Sequence, residues 1–340
     1  MTVVASAPAS GTFAAAPATG NVDAYASATR LIASVVVVTV GLDLHVAFGA
    51  SAALPLAVVL LPLCVPVLRR YPLAMLVGGL AALSVVSGLA LAELSSIDHQ
   101  VNQAKGLQSI GLLSSGIAAI VLLLWARRLM PLHRLVTLYG AGALASAFVD
   151  GQLSWKFHLA VPTALVVLGL VERHRPGVAA AAVILVIGVI GVMDDGRSLF
   201  AACVLAATLT IWQLRPRSPG RRERRRFPLV LLAGVAGAVY VFTTAMATGG
   251  ALGQTVQERT TAQTESGSLL SGGRPEWAAT RELVKLNPSG YGVGVVPNRT
   301  DRTTAKAGLE SINVDVDQGR ERFMFGDQFG LHSVAADLWV

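Results

Sequence analysis

The feature that most constrains this chain is an alternation of long apolar runs with short arginine clusters. Apolar runs fall at 31–50, 52–68, 72–94, 107–126, 134–149, 157–172, 177–193, 198–214 and 227–248. A helix that crosses a bilayer needs roughly 20 mostly apolar residues, so these nine runs read as nine spans. The fold class expected is an all-α polytopic membrane protein. Composition agrees: 14% of residues are charged and mean hydropathy is +0.60. That is too little polar surface for a water-soluble domain, in which about a quarter of residues are charged.

Sidedness follows from the basic residues. With the N-terminus inside, the inner loops hold Arg30, Arg69, Arg70, Arg127, Arg128, Arg134, Arg173, Arg175 and seven arginines from Arg215 to Arg226. The short outer loops hold only Lys105, Lys156 and Arg197. Fifteen against three is a strong positive-inside bias. The net charge of +7 therefore reflects topology, and nucleic acid is not an expected partner.

Three parts follow. Residues 1–27, rich in Ala, Ser and Pro and without Lys or Arg, read as a disordered cytoplasmic tail. Residues 28–248 form the helix bundle. Residues 249–340 carry nine basic and eleven acidic side chains and no run long enough to span. Nine passes put this last segment outside. Within it, Pro275–Leu286 reads as a helix, with proline at its first position and Pro288 beyond its end. The stretch Ser333–Val340 reads as the opening of a further apolar helix, so the chain is expected to continue.

Cys64 and Cys203 lie inside apolar runs with no CxxC or histidine partner, and are expected to be buried thiols. No metal-ligand spacing is present, and no metal or cofactor is expected. Asp43 and His45 form an ionisable pair in the first run. Gly290-Tyr-Gly-Val-Gly294 follows a helix instead of a strand, which excludes a nucleotide loop. It reads as a turn that lets backbone approach a neighbour closely.

Three outer-side positions can carry chemistry. Arg197, in Asp194-Asp-Gly-Arg-Ser198, is either an anion ligand or an interfacial arginine paired with Asp194 or Asp195. Arg274, in Gly272-Gly-Arg-Pro-Glu-Trp277, opens the outer helix, and Arg281 and Lys285 project within about 20° of it. Such a stripe suits phosphate oxygens, which guanidinium forks grip bidentately, or else is a solvated face. His332, in Phe329-Gly-Leu-His-Ser333, is either a general base or an interfacial histidine.

The order of these motifs resembles the O-antigen ligase and polymerase family of bacterial membrane glycosyltransferases. The resemblance rests on residues 194–198, 271–294 and 329–333. It implies a metal-independent enzyme of the cytoplasmic membrane whose outer loop caps a membrane-facing cavity. There a glycan would pass from an undecaprenyl-diphosphate carrier to a glycan or lipid acceptor. By the same resemblance, Arg197, Arg274 and Arg281 would hold the diphosphate and His332 would activate the acceptor hydroxyl. Ala201 departs from the leucine frequent in that family. A transporter, or a non-catalytic protein of the cell envelope, is the alternative.

Overall fold

A computed structural model describes residues 19–174, 177–194, 196–214, 227–250, 254, 257–258, 261, 276–312 and 318–331. The described chain is all-α apart from two small two-stranded sheets. The bundle helices are α1 (Thr19–Leu42), α2 (Ala53–Val59), α3 (Leu61–Leu68), α4 (Pro72–Ser95), α5 (Gln103–Leu129) and α6 (Leu132–Val149). They continue with α7 (Ala160–His174), α8 (Val178–Met193), α9 (Arg197–Gln213) and α10 (Phe227–Thr248).

Among the described residues, four helical stretches are long and apolar enough to cross a membrane: Tyr25–Leu42, Pro72–Ser95, Gln103–Leu129 and Leu132–Val149. Trp155–Val171, Val178–Val192, Ser198–Gln213 and Ala233–Met246 are shorter apolar helices. α4 shows what solvent they suit: Leu73 is 75% exposed and Val86 65%, with Leu76, Leu80 and Leu83 exposed between them. An apolar face of that extent is stable against lipid and not against water.

The first two expected spans take a different form. α1 begins at Thr19, so residues 19–27 of the expected disordered tail are helical; residues 1–18 lie outside the described chain. α1 stops at Leu42, and Asp43 enters the left-handed region. A hairpin follows, with β1 (His45–Ala47) antiparallel to β2 (Ala50–Ser51). Its turn residues Phe48 and Gly49 both have positive φ, the twist that suits a two-residue turn. Asp43 and His45 are therefore exposed residues of a turn and a strand, not partners on one helix. The second expected span is broken at Leu60 into α2 and α3. Pro62 has no N–H to continue the helical ladder across that point.

Small residues of α5 make room for the hairpin. The Phe48 carbonyl sits over Gly111, and Ser51 N donates to Ser115 Oγ at 2.8 Å. α1 and α6 approach as closely at Gly41 and Gly142, where backbone meets backbone. Cys64 and Cys203 are buried free thiols, as expected. One hydrophobic core joins α1, α2, α3, α5 and α6, and includes Val37, Cys64, Leu122 and Trp125. Another joins α7, α8 and α9 around Ala160, Ile187 and Cys203.

Candidate functional site

The segment 276–331 folds into a small helical unit on the end of the α4–α5 hairpin. It contains α11 (Glu276–Leu286), β4 (Val295–Val296), α12 (Arg299–Glu310) and α13 (Gln318–Phe325). α11 coincides with the expected outer helix from Glu276 onward. Gly308 lets α12 lie against the Ala278 carbonyl, and Ala279, Leu283, Ala305 and Leu309 are fully buried between the two helices. Met324, Phe325, Phe329 and Leu331 complete this core.

Gly290–Gly294 joins the unit to the bundle, as the reading of a close-approach turn requires. Gly290, Gly292 and Gly294 all have positive φ, which glycine adopts without steric cost. A side chain on Gly292 would collide with the α4 backbone at Leu91 and Ala92, and one on Gly294 with Asn102 O. In their absence Val293 N donates to Gly88 O at 3.0 Å, and Asn102 N donates to Gly294 O at 2.7 Å. Ser95 Oγ donates to the Tyr291 carbonyl at 2.6 Å. β3 (Gln100–Val101) then pairs antiparallel with β4.

Beside this strand pair lies a polar cluster that the sequence reading did not single out. His99 Nδ1 is 2.6 Å from Asp98 Oδ1, and Nε2 is 2.9 Å from Asp301 Oδ2. Asp301 is 1% exposed. It also accepts from Tyr291 OH at 3.0 Å and from Asn298 N at 2.9 Å. The last bond is half of a capping box at the start of α12, closed by Asn298 Oδ1 accepting from Asp301 N at 3.0 Å. The Tyr291 ring is wedged between His99, edge-on at 5.4 Å, and Phe329 at 4.5 Å.

Electrostatics follow from this packing. Burial opposes charge on His99, but hydrogen bonds and attraction from Asp98 and Asp301 outweigh it and raise its pKa above the ordinary imidazole value. Burial first, and then the Asp301 carboxylate, push the Tyr291 phenol well above its usual range. With both ring nitrogens held and 7% of its side chain exposed, His99 clamps the unit to the bundle and is not open to a substrate. A groove of about 530 Å³ lies alongside, lined by Asp98, Gln100, Pro297, Asn298, Arg299 and Arg302. Arg302 Nε donates to Pro297 O at 3.3 Å, which directs its guanidinium along the groove wall. A lining with two guanidinium groups and one carboxylate suits a hydroxylated or phosphorylated ligand.

The residues expected to carry chemistry are only partly within the described chain. Arg274 and His332 lie outside it. Arg197 is the first residue of α9, directly after Gly196; its side chain lies outside the description. The neighbouring Asp194 carboxylate accepts from Lys156 N at 2.9 Å and Ser154 Oγ at 3.3 Å. It thereby ties the α8–α9 turn to a π-helical turn at Trp155–Leu159. In that turn Trp155 Nε1 and His158 Nδ1 are buried with no hydrogen-bond partner among the described residues. Arg281 is 76% exposed, with Glu282 at 3.8 Å, and Lys285 is bound to Glu282 at 2.6 Å. The basic stripe of α11 therefore faces solvent and is partly neutralised by its own helix.

A capping-box pattern at Asn298-x-x-Asp301 and the Asp98-His99 pair were the readable signals for the missed cluster. Comparison of the chain with protein-family models, curated proteins and solved structures gives no match to any of the three.

Proposed function

We propose that the chain is a nine-pass membrane glycosyltransferase of the O-antigen ligase or polymerase type, with its N-terminus in the cytoplasm and residues 249–340 outside. It moves a glycan from an undecaprenyl-diphosphate carrier to an acceptor on the outer face of the cytoplasmic membrane. Arg197 and Arg274 hold the diphosphate, Arg281 contributes from about two helical turns further on, and His332 takes the proton of the acceptor hydroxyl. The diphosphate departs with its charge neutralised by guanidinium groups.

The observation that supports this reading most is a shared core. α11, which begins two residues after Arg274, and Phe329–Leu331, which immediately precede His332, are packed together around Leu283 and Tyr291. Two segments remote in sequence are thus held together on one side of the bundle, as a two-component transfer site requires. The sidedness is supported by α5. Its first turn meets the 276–331 unit at Asn102, and its last turn carries Arg127 and Arg128.

The test is complementation of a deletion strain, read from extracted lipid-linked glycans. Loss of a polymerase leaves single repeats, and loss of a ligase leaves long unattached chains. Arg197→Lys and Arg274→Lys are expected to abolish transfer with normal membrane levels, because a point charge lacks the guanidinium fork. His332→Ala is expected to abolish transfer while donor binding survives. Near-normal glycans with all three variants would overturn the proposal.

A further inference from the structure

The opposite end of the bundle holds a second concentration of charge. Arg30 on α1, Arg127 and Arg128 in the last turn of α5, and Arg134 in the first turn of α6 converge on a groove of about 500 Å³. Its remaining lining is Leu129, Met130 and Pro131. The preference of positive residues for one side of a membrane accounts for the sign of these charges. It does not account for their convergence from three helices onto one groove.

Two further observations point to a ligand. No carboxylate lies within ion-pairing distance of any of the four arginines among the described residues. Among the described residues no carboxylate offsets the repulsion of these four cations. Two of the guanidinium groups are also oriented: Arg127 Nη1 donates to Met130 O and Arg134 Nη2 to Ser34 Oγ, each at 3.3 Å. Arg30 directly precedes residues 31–42, the uncharged C-terminal part of α1, and Arg127 and Arg128 directly follow residues 106–126, the uncharged part of α5. The groove thus stands where apolar spans end, at the depth of lipid headgroups. Met130 and Leu135 belong to the buried core beneath it, and Leu132 is 45% exposed beside it, where an acyl chain would lie.

We infer that this groove binds a phosphate-bearing anion, the headgroup of an anionic phospholipid being the source that its depth and apolar rim fit. Guanidinium forks grip phosphate oxygens bidentately, and basic pockets between membrane helices hold anionic headgroups in this way. The inference is independent of the proposed transferase reaction, which lies at the other end of α5.

The experiment uses the full chain purified in neutral detergent. Native mass spectrometry counts retained lipid, and thermal unfolding is followed with added phosphatidylglycerol, phosphatidylcholine or inorganic phosphate. Phosphatidylglycerol is expected to be retained and to raise the Tm, and phosphatidylcholine to do neither. Stabilisation by inorganic phosphate to the same extent would identify the free ion as ligand of the same site; none would identify the lipid.

Arg30→Gln/Arg134→Gln and Arg127→Gln/Arg128→Gln are each expected to weaken retention about tenfold, equivalent to the loss of about 1.4 kcal/mol. Arg30→Lys/Arg134→Lys keeps the topogenic charge, so it inserts normally, and it is expected to bind several-fold more weakly. Equal retention by all three variants, or equal retention of phosphatidylcholine by the wild type, would overturn the inference and leave the arginines as topogenic charges alone.

Discussion

His99 and Asp301 stand 202 positions apart in the sequence and meet at 2.9 Å between Nε2 and Oδ2. This contact joins the α4–α5 hairpin to the capping box of α12, and the carboxylate it engages is buried. Removing the imidazole leaves Asp301 with only the Tyr291 hydroxyl and the Asn298 amide. His99→Ala is expected to weaken docking of the 276–331 unit by about 3 kcal/mol. Hydrogen exchange of α11 and α12 measures it, and unchanged protection would refute the clamp.

The same contact makes docking depend on pH. The folded pKa of His99 is raised, so folding takes up a proton. Its contribution is complete below the unfolded value of about 6.5 and is lost as pH rises through the folded value. Asn298 Nδ2 lies 3.1 Å from the same Nε2 and is placed to donate to it once the proton leaves. Protease cutting within 276–331 is therefore expected to increase toward alkaline pH in the wild type. The response should be flat in His99→Gln.

Tyr291→Phe keeps the ring that packs against His99 and Phe329 and removes the hydroxyl that donates to Asp301 Oδ1. A cost of about 1–2 kcal/mol in the stability of the unit is expected. A neutral result in the same hydrogen-exchange measurement would mean that solvent already satisfies Asp301.

Glycine at 292 is required by space and by backbone angle together. Gly292→Ala is expected to cost more than about 1 kcal/mol and to release the unit from α4. Gly79→Ala provides the matched comparison, since nothing lies within 4 Å of a side chain added there. Protection of the Val293 and Asn102 amides against exchange should fall in the first variant and stay unchanged in the second.

Sidedness has its own measurement. Cysteines placed at Ser218 and at the exposed Ser289 are expected to label from opposite sides of the membrane, Ser218 from the cytoplasm. Labelling of both from one side would refute the proposed nine-pass arrangement.

The sequence was most legible where one local cause dominates. Apolar length marked α4, α5 and α6, and the glycines of 290–294 announced a close backbone approach. A proline and an amphipathic stretch outlined α11. Hydropathy could not separate a helix from a tight hairpin at 43–51, because the residues that turn the chain there, Phe48 and Gly49, sit within an apolar run. The His99 cluster was hidden for another reason: its members come from 98–99, 291 and 298–301, and only the docked fold brings them together. Of the expected basic stripe, Arg281 and Lys285 are exposed, and Glu282 between them partly neutralises both. Arg281→Ala is accordingly expected to change stability by less than about 0.5 kcal/mol. A loss of glycan transfer in that variant would report ligand binding and not folding.

α5 runs unbroken and without proline from Gln103 to Leu129, about 40 Å at the usual helical rise. Its first turn is gripped by the strand pair and its last turn carries half of the arginine groove. It is therefore a lever with a load on each end. Tilting such a rod by about 5° moves one end by about 3.5 Å relative to the other, more than the length of a hydrogen bond. The arginine groove and the strand pair beside His99 are joined by one continuous helix, so any tilt of that helix displaces the one relative to the other.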